Sequence, residues 1–279
     1  MTTQTQLRHK RAEVIRATVR REAINQWSSR FAGLLPVSLL VIAILAVWEA
    51  AIRFMNVPNF VLPAPSQIAL VLYSHQLELA IAAWTTAKEI FYGFVISTVV
   101  GAACALLIVR LEKVGKAVYP LMVLFQNVPK IALAPLFILW FGYDLQPKIF
   151  LIVVMAFFPV AINMLVGLRA ADPNLVSLLK SVGASRTEIL WRVQIPHSLP
   201  SLMAGIKVAI TLSVIGAIVG EFAGASAGLG YMIQFASTQM QTSLVFAALF
   251  EVSVLGVIFY YAVEALEHTF ITWENTVSK

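Results

Sequence analysis

Two ionisable residues stand where an apolar sequence has no ordinary use for charge: Lys130, beside Pro129, and Glu221, near the end of a long apolar run. Neither belongs to a catalytic constellation. His9, His75, His197 and His268 are scattered over termini and polar intervals and suggest no metal site. No HExxH or paired acidic motif occurs, and GASAG (Gly224–Gly228), which fits GxSxG by letters, lies in a glycine-rich stretch with no strand–turn–helix pattern around it, so a membrane-embedded enzyme has no support. No GxxxxGK[ST] phosphate loop occurs either. Gly115–Lys116 is the nearest dipeptide, and it lacks the upstream glycine and the following hydroxyl, so the chain does not hydrolyse ATP by itself. The chemistry left to such residues is passage. An ionisable group held in apolar surroundings is costly and defaults to a functional hypothesis, here a solute path. Gln126, Asn127 and Asn163, polar in apolar company, complete that candidate set with Lys130 and Glu221. The alternative for the amides is interhelical hydrogen bonding, and for Lys130 snorkelling or pairing with a carbonyl freed by proline.

Spacing defines a second set, between Asp172 and Ile210. Asp172–Pro173 reads as a helix start, Asp as N-cap and Pro at the first helical position. Leu175, Leu178, Leu179 and Val182 form an apolar stripe that Gly183 punctuates. A second short helix follows, with Ser185 as cap and Glu188 three residues on, a capping box. Ile189, Leu190 and Val193 share one side of it, and Pro196 and Pro200 bracket the entry into the next apolar run. Two amphipathic helices with a glycine hinge are more than a linker needs. The loop 169–198 therefore reads as a docking element, carried by Leu179, Val182, Gly183, Ala184, Ser185, Arg186, Glu188, Ile189, Ile195 and Pro196.

The elements that position these residues follow from composition. The 279 residues are 59% hydrophobic and 12% charged, with mean hydropathy +0.84. Soluble domains carry about 25% charged residues, so this chain could not cover a water-facing surface. A spanning helix takes about 20 apolar residues. Candidates lie near Leu34–Phe54, Ala80–Val109, Val118–Phe141, Lys148–Leu168, Leu199–Val219 and Leu244–Leu266, six spans in all. The third holds Pro120, Pro129 and Pro135, which membrane bundles tolerate because neighbouring helices re-satisfy freed carbonyls. With the N-terminus inside, inner loops hold Arg110, Lys113, Lys116, Arg169, Lys180, Arg186 and Arg192, against Arg53, Lys88 and Lys148 outside. That asymmetry obeys the positive-inside rule and places both termini in the cytoplasm.

The net charge of +6 belongs to this orientation rather than to nucleic acid. The segment 1–30 is no signal peptide and reads either as a basic amphipathic helix on the inner leaflet or as a basic tail. The lone cysteine, Cys104, excludes an intrachain disulfide and reads as core packing. Gly216, Gly220, Gly224 and Gly228 recur every four residues, a spacing for close helix approach in or near a dimer contact. From Gly224 onward an outer loop is the equal alternative.

The docking loop resembles the cytoplasmic coupling loop of binding-protein-dependent ABC importer permeases, EAA, three residues, Gly, nine residues, then I-x-L-P. Gly183 is the glycine and Val193–Pro196 the closing element, while Ser177, Leu178 and Leu179 replace the acidic–Ala–Ala start. LPAPSQI (Leu62–Ile68), NVPKIALAPLFILWFG (Asn127–Gly142), the FFP of Phe157–Pro159 and GEFAGASAGLG (Gly220–Gly230) are similar to the nitrate/sulfonate/taurine-type subfamily. The resemblance implies an all-α membrane protein of the type I importer permease fold in the bacterial inner membrane, with a path shared by two permease copies. It also implies separate cytoplasmic ATPase subunits holding ATP and magnesium, and an external solute-binding protein. On this basis the chain divides into segment 1–30, a first span within 31–60, a permease core 61–268 and a tail 269–279. The competing class, an ATP-independent secondary transporter or channel, expects inverted repeats or charges in several spans; no clear internal repeat appears.

Overall fold

The computed structural model describes residues 36–111, 120–122 and 124–271, without the side chain of Phe270. The basic segment 1–30, the loop cations Lys113 and Lys116, and the tail beyond Ile271 lie outside the described residues. Met1–Gln67 and Ile68–Lys279 form two compact units, described separately. In the first, the apolar run becomes helix α1 (Pro36–Phe54). Its Glu49 accepts hydrogen bonds from Arg53 Nε (2.7 Å), Ser66 N (3.0 Å) and Ser66 Oγ (2.8 Å), which ties α1 to the LPAPSQI segment. From Pro65 that stretch is helical, α2 (Pro65–Ser74).

The second unit is a bundle around α6 (Leu145–Arg169), packed between α3 (Gln76–Arg110) and α9 (Ile195–Gly224). Half of the most apolar window of α6 is buried, against 11% for α11 (Thr242–Phe270), so α6 is the central helix and α11 a peripheral one. Lipid tails are as apolar as leucine, so close packing rather than exclusion of water must hold such helices together, and small residues permit it. α6 and α9 run antiparallel with glycines at the crossings. Gly220 lies on Lys148, Gly216 on Ile152, Gly205 on Pro159 and Asn163, and Gly167 of α6 on Ser198 and Ser201. A Cβ at Gly205 would stand 2.7 Å from the Pro159 carbonyl oxygen. Gly224, at the end of α9, faces Ile138 and Tyr143. The glycine stripe thus packs within one chain. Cys104 is half-buried against the core of Ile108, Phe158, Met164 and Leu168.

Two expectations are corrected. The third span is not a continuous helix: α4 (Pro120–Gln126) and the segment Lys130–Phe141 meet at 80°. The second piece opens as a 3-10 turn, Lys130–Leu133, and continues as α5 (Ala134–Phe141). Pro129 has no N–H to carry the helix across the break, and Asn127 and Val128 close 3-residue turns onto Leu124 and Phe125 instead. Among the described residues five helices are long and apolar enough to span by themselves, and six if this bent pair counts as one span. The second correction concerns the entry to the fifth span. α8 (Arg186–Ile189) does not end before Pro196; it passes through a π-turn, Leu190–Gln194, directly into α9. The wider turn absorbs the proline that an unbroken α-ladder would reject. α10 (Leu229–Thr238), a helix where a glycine-rich loop is one reading, precedes α11.

Candidate coupling site

α7 (Pro173–Ser181) starts as its sequence predicts, Asp172 Oδ1 accepting from Asn174 N at 2.8 Å with Pro173 in the first turn. Its other end is a Schellman cap. Ala184 N donates to Leu179 O (3.0 Å) and Gly183 N to Lys180 O (3.1 Å), with Gly183 at φ +83°. The expected hinge is therefore a fixed turn. The capping box of α8 is complete: Ser185 Oγ accepts from Glu188 N at 3.2 Å, and Glu188 Oε2 accepts from Ser185 N at 2.8 Å. Between Gly183 of the first cap and Ser185 of the second stands a single residue, Ala184.

The stripe on α7 faces outward. Leu178 is 60% and Val182 72% exposed, Leu175 is exposed and Leu179 half-buried. Arg186, Glu188 and Pro196 are exposed, Ala184 and Ile195 half-buried, and Ile189 buried as the anchor of α8. A cleft of about 690 Å³ opens between the end of α3 and this pair, lined by Arg110, Val176, Lys180, Arg186, Trp191 and Gln194 among others. Capped helices, an apolar outward stripe and a cation-lined cleft make a surface that can receive a protein partner.

The candidate path residues are not gathered into one site. Lys130 Nζ stands 4.9 Å from the centroid of the Phe158 ring, a cation–π pairing, half-buried. Asn163 donates to the Pro159 carbonyl at 2.8 Å, and its Cβ faces Gly205 of α9. Phe158 and Asn163, five residues apart, are about 140° apart around α6. Gln126 and Asn127 are exposed beside the 80° bend.

Glu221 is fully buried, its Oε1 accepting from Thr86 Oγ1 (2.7 Å) and Oε2 from Gly230 N (2.5 Å). Sequence reasoning passed over its neighbours. Lys148, read as an outer-edge charge, is buried and donates to Glu89 Oε1 at 2.5 Å, and Glu89 is 1% exposed. An acid inside the apolar run of α3 was the available signal.

Against this geometry the chain's relatives are informative. Residues 97–271 match the family described as "binding-protein-dependent transport system inner membrane component". The formylaminopyrimidine transport permease protein ThiX of Halalkalibacterium halodurans is 36% identical over 239 residues, covering 85% of this chain and 95% of that protein. The putative aliphatic sulfonates transport permease protein SsuC of Bacillus subtilis is 32% identical over 242 residues, covering 85% and 87%. Among solved structures, an inward-facing form of the MetNI methionine ABC transporter superposes with a TM-score of 0.62 at 18% identity, covering 71% of this chain and 98% of that one, a likeness of fold. The all-helical bundle with five to six spans has the type I importer permease architecture. The chain belongs to the binding-protein-dependent inner-membrane transport components: it is a multi-pass permease subunit of an ABC importer.

Proposed function

We propose that the α7–α8 unit is the site at which this permease receives a cytoplasmic ATPase, and that ATP-driven closure of that partner is converted there into alternating access. The observation that carries the reading is the doubly capped turn at Gly183, which fixes the exposed Leu175, Leu178 and Val182 with respect to α9. An apolar stripe of this kind on a polar loop needs a protein to cover it. The orientation inferred from the positive-inside rule puts the unit in the cytoplasm. ATP and magnesium then reside on the partner, a second permease copy completes the path, and an external binding protein delivers the solute.

The solute class is a small organic compound or anion: a sulfonate, taurine, nitrate, an aromatic acid or a vitamin precursor. Support comes from relatives named for formylaminopyrimidine, aliphatic sulfonates, taurine and riboflavin. Lys130 and Asn163, both half-buried, and Gln126 and Asn127 at the bend are retained as candidate path residues. The deciding experiment reconstitutes the chain with its cognate ATPase and compares association and hydrolysis for wild type and Gly183→Arg. Loss of association with the spans still inserted supports docking at this loop; unchanged association and hydrolysis overturn it.

A further inference from the structure

The N-terminus of α10 is held from outside itself. A helix leaves its first amides without partners in its own backbone. Here Leu229 N donates to Thr86 Oγ1 of α3 at 2.9 Å, and Gly230 N donates to Glu221 Oε2 of α9 at 2.5 Å. Thr86 closes the circuit by donating to Glu221 Oε1 at 2.7 Å. Neither Thr86 nor Glu221 is exposed at all. The acid therefore caps a helix eight residues further along the chain, and it faces the positive end of that helix's dipole.

The surrounding small residues are shaped to this carboxylate. A Cβ on Gly228 would overlap it, and a Cβ on Gly230 would lie 2.7 Å from Oε2 and 2.9 Å from the Glu221 Cβ. Gly228 also adopts φ +113°, closed to most side chains. The glycines of the AGLG segment are thus the space that Glu221 occupies. One residue earlier, Gly220 lies on the stem of Lys148, whose ammonium group meets Glu89 of α3. Four helices, α3, α6, α9 and α10, join at this cluster, at the end of the bundle opposite α7 and α8.

We infer that Glu221 is a positioning residue of the transport cycle: with Thr86 it latches the start of α10 to α3, so that α10 and the adjoining ends of α3, α6 and α9 move as one body. The latch needs two hydrogen-bonding groups at position 221, an acceptor for Gly230 N and a partner for Thr86 Oγ1, rather than a negative charge. In Glu221→Gln the amide oxygen can accept from Gly230 N while the amide nitrogen donates to Thr86 Oγ1. The Thr86 hydroxyl then turns to the Ala82 carbonyl, 3.2 Å away. A solute-binding carboxylate would not survive that exchange.

The test uses the permease assembled with its cognate ATPase in lipid nanodiscs, nucleotide-free and trapped with ATP and vanadate. Amide hydrogen exchange is followed over Leu229–Met232. In wild type, exchange is expected to be equally slow in both states. Glu221→Leu and Thr86→Val should accelerate it about tenfold or more, the ratio that about 1.4 kcal/mol makes, and should make it depend on nucleotide state. Glu221→Gln and Thr86→Ser should stay within about threefold of wild type, less than the tenfold step.

Should Glu221→Leu fail to assemble, Thr86→Val, which removes only the hydroxyl from the circuit, carries the test. The inference is overturned if the wild-type segment opens on trapping, if Glu221→Gln exchanges like Glu221→Leu, or if Thr86→Val matches wild type. Failure of the docking reading would show separately, as wild-type permease that does not hold the ATPase.

Discussion

Gly183 separates two reasons for a glycine in a coupling loop. Its φ of +83° is costly for residues with a Cβ, yet nothing lies within 4 Å of where that Cβ would stand. A substitution is therefore penalised by backbone conformation alone, roughly 1–2 kcal/mol for alanine and less for asparagine. That energy acts on the two bonds of the cap, Ala184 N to Leu179 O and Gly183 N to Lys180 O. It lowers the population of the docking geometry by a factor of about 5–30. Arginine has the same conformational cost as alanine in the free chain, because the space is open. Against a docked partner, however, it must also find room. Affinity for the ATPase, measured in detergent beside a thermal melt of the permease, should fall in the order Gly, Asn, Ala, Arg, with the melt nearly constant. Unaltered affinity of Gly183→Ala would refute the claim that the capped turn is part of the docking surface. Equal affinities of the alanine and arginine variants would show that Gly183 lies outside the interface.

The other expectations concern stability and local order. Gly205→Ala should cost about 1–3 kcal/mol as an overpacked contact, because the Pro159 carbonyl at 2.7 Å cannot yield without backbone movement. Gly216→Ala, whose nearest neighbours are Ile152 atoms at 3.2 Å, should cost less; detergent melting temperatures decide the order. Lys148→Met leaves Glu89 buried without its ammonium partner and should cost on the order of 3–5 kcal/mol. The double variant Lys148→Met/Glu89→Gln should recover much of that in the same melt, and a double variant as unstable as the single would refute the pairing. Ser185→Ala removes the cap of α8, worth about 1 kcal/mol. Hydrogen exchange at Glu188 N should rise while α6 is unaffected.

Features written in local chemistry were legible in the sequence. Asp172–Pro173 and Ser185–Glu188 name their own caps, and each cap forms with the partners its spacing requires. Apolar runs of spanning length likewise marked the long helices. What stayed hidden depends on residues distant in sequence. Thr86 and Glu221 are 135 positions apart and Lys148 and Glu89 are 59 apart, and nothing local to any of them names its partner. Lys148 sits next to a turn, where a basic residue ordinarily faces water, and so passes for an anchor. The proline errors have a different origin. Pro129 breaks the third span and Pro196 does not break the fifth, because the outcome depends on the turn available around each. Asn127 and Val128 already leave the α-ladder before Pro129, whereas a π-turn widens the helix before Pro196.

The second of these outcomes bears on the proposed coupling. A short docking helix separated from its span at these prolines would be an arrangement in which a push on the loop could dissipate. The structure has one helix from Arg186 to Gly224, 39 residues, about 58 Å at 1.5 Å per residue. A hydrocarbon core is about 30 Å thick, so the helix reaches beyond it. Its first turn carries the Ser185–Glu188 cap and borders the cleft; its last carries Glu221 and the grip on α10. Glycines at 205, 216 and 220 key it to α6 at successive levels along the way. A displacement delivered at α8 would therefore reach the opposite end through one helix already engaged with α6. On this argument the π-turn is the element to perturb. Pro196→Ala restores the missing N–H and lets the segment Leu190–Gln194 relax towards an α-ladder. That change alters the rotational register between Ser185 and Glu221. It should leave stability equal or higher while lowering the ATP-driven displacement of the Glu221 end of α9, read as a change in spin-label distance, relative to that at α8. Equal transmission in the variant would show that the register set by Pro196 is immaterial to coupling.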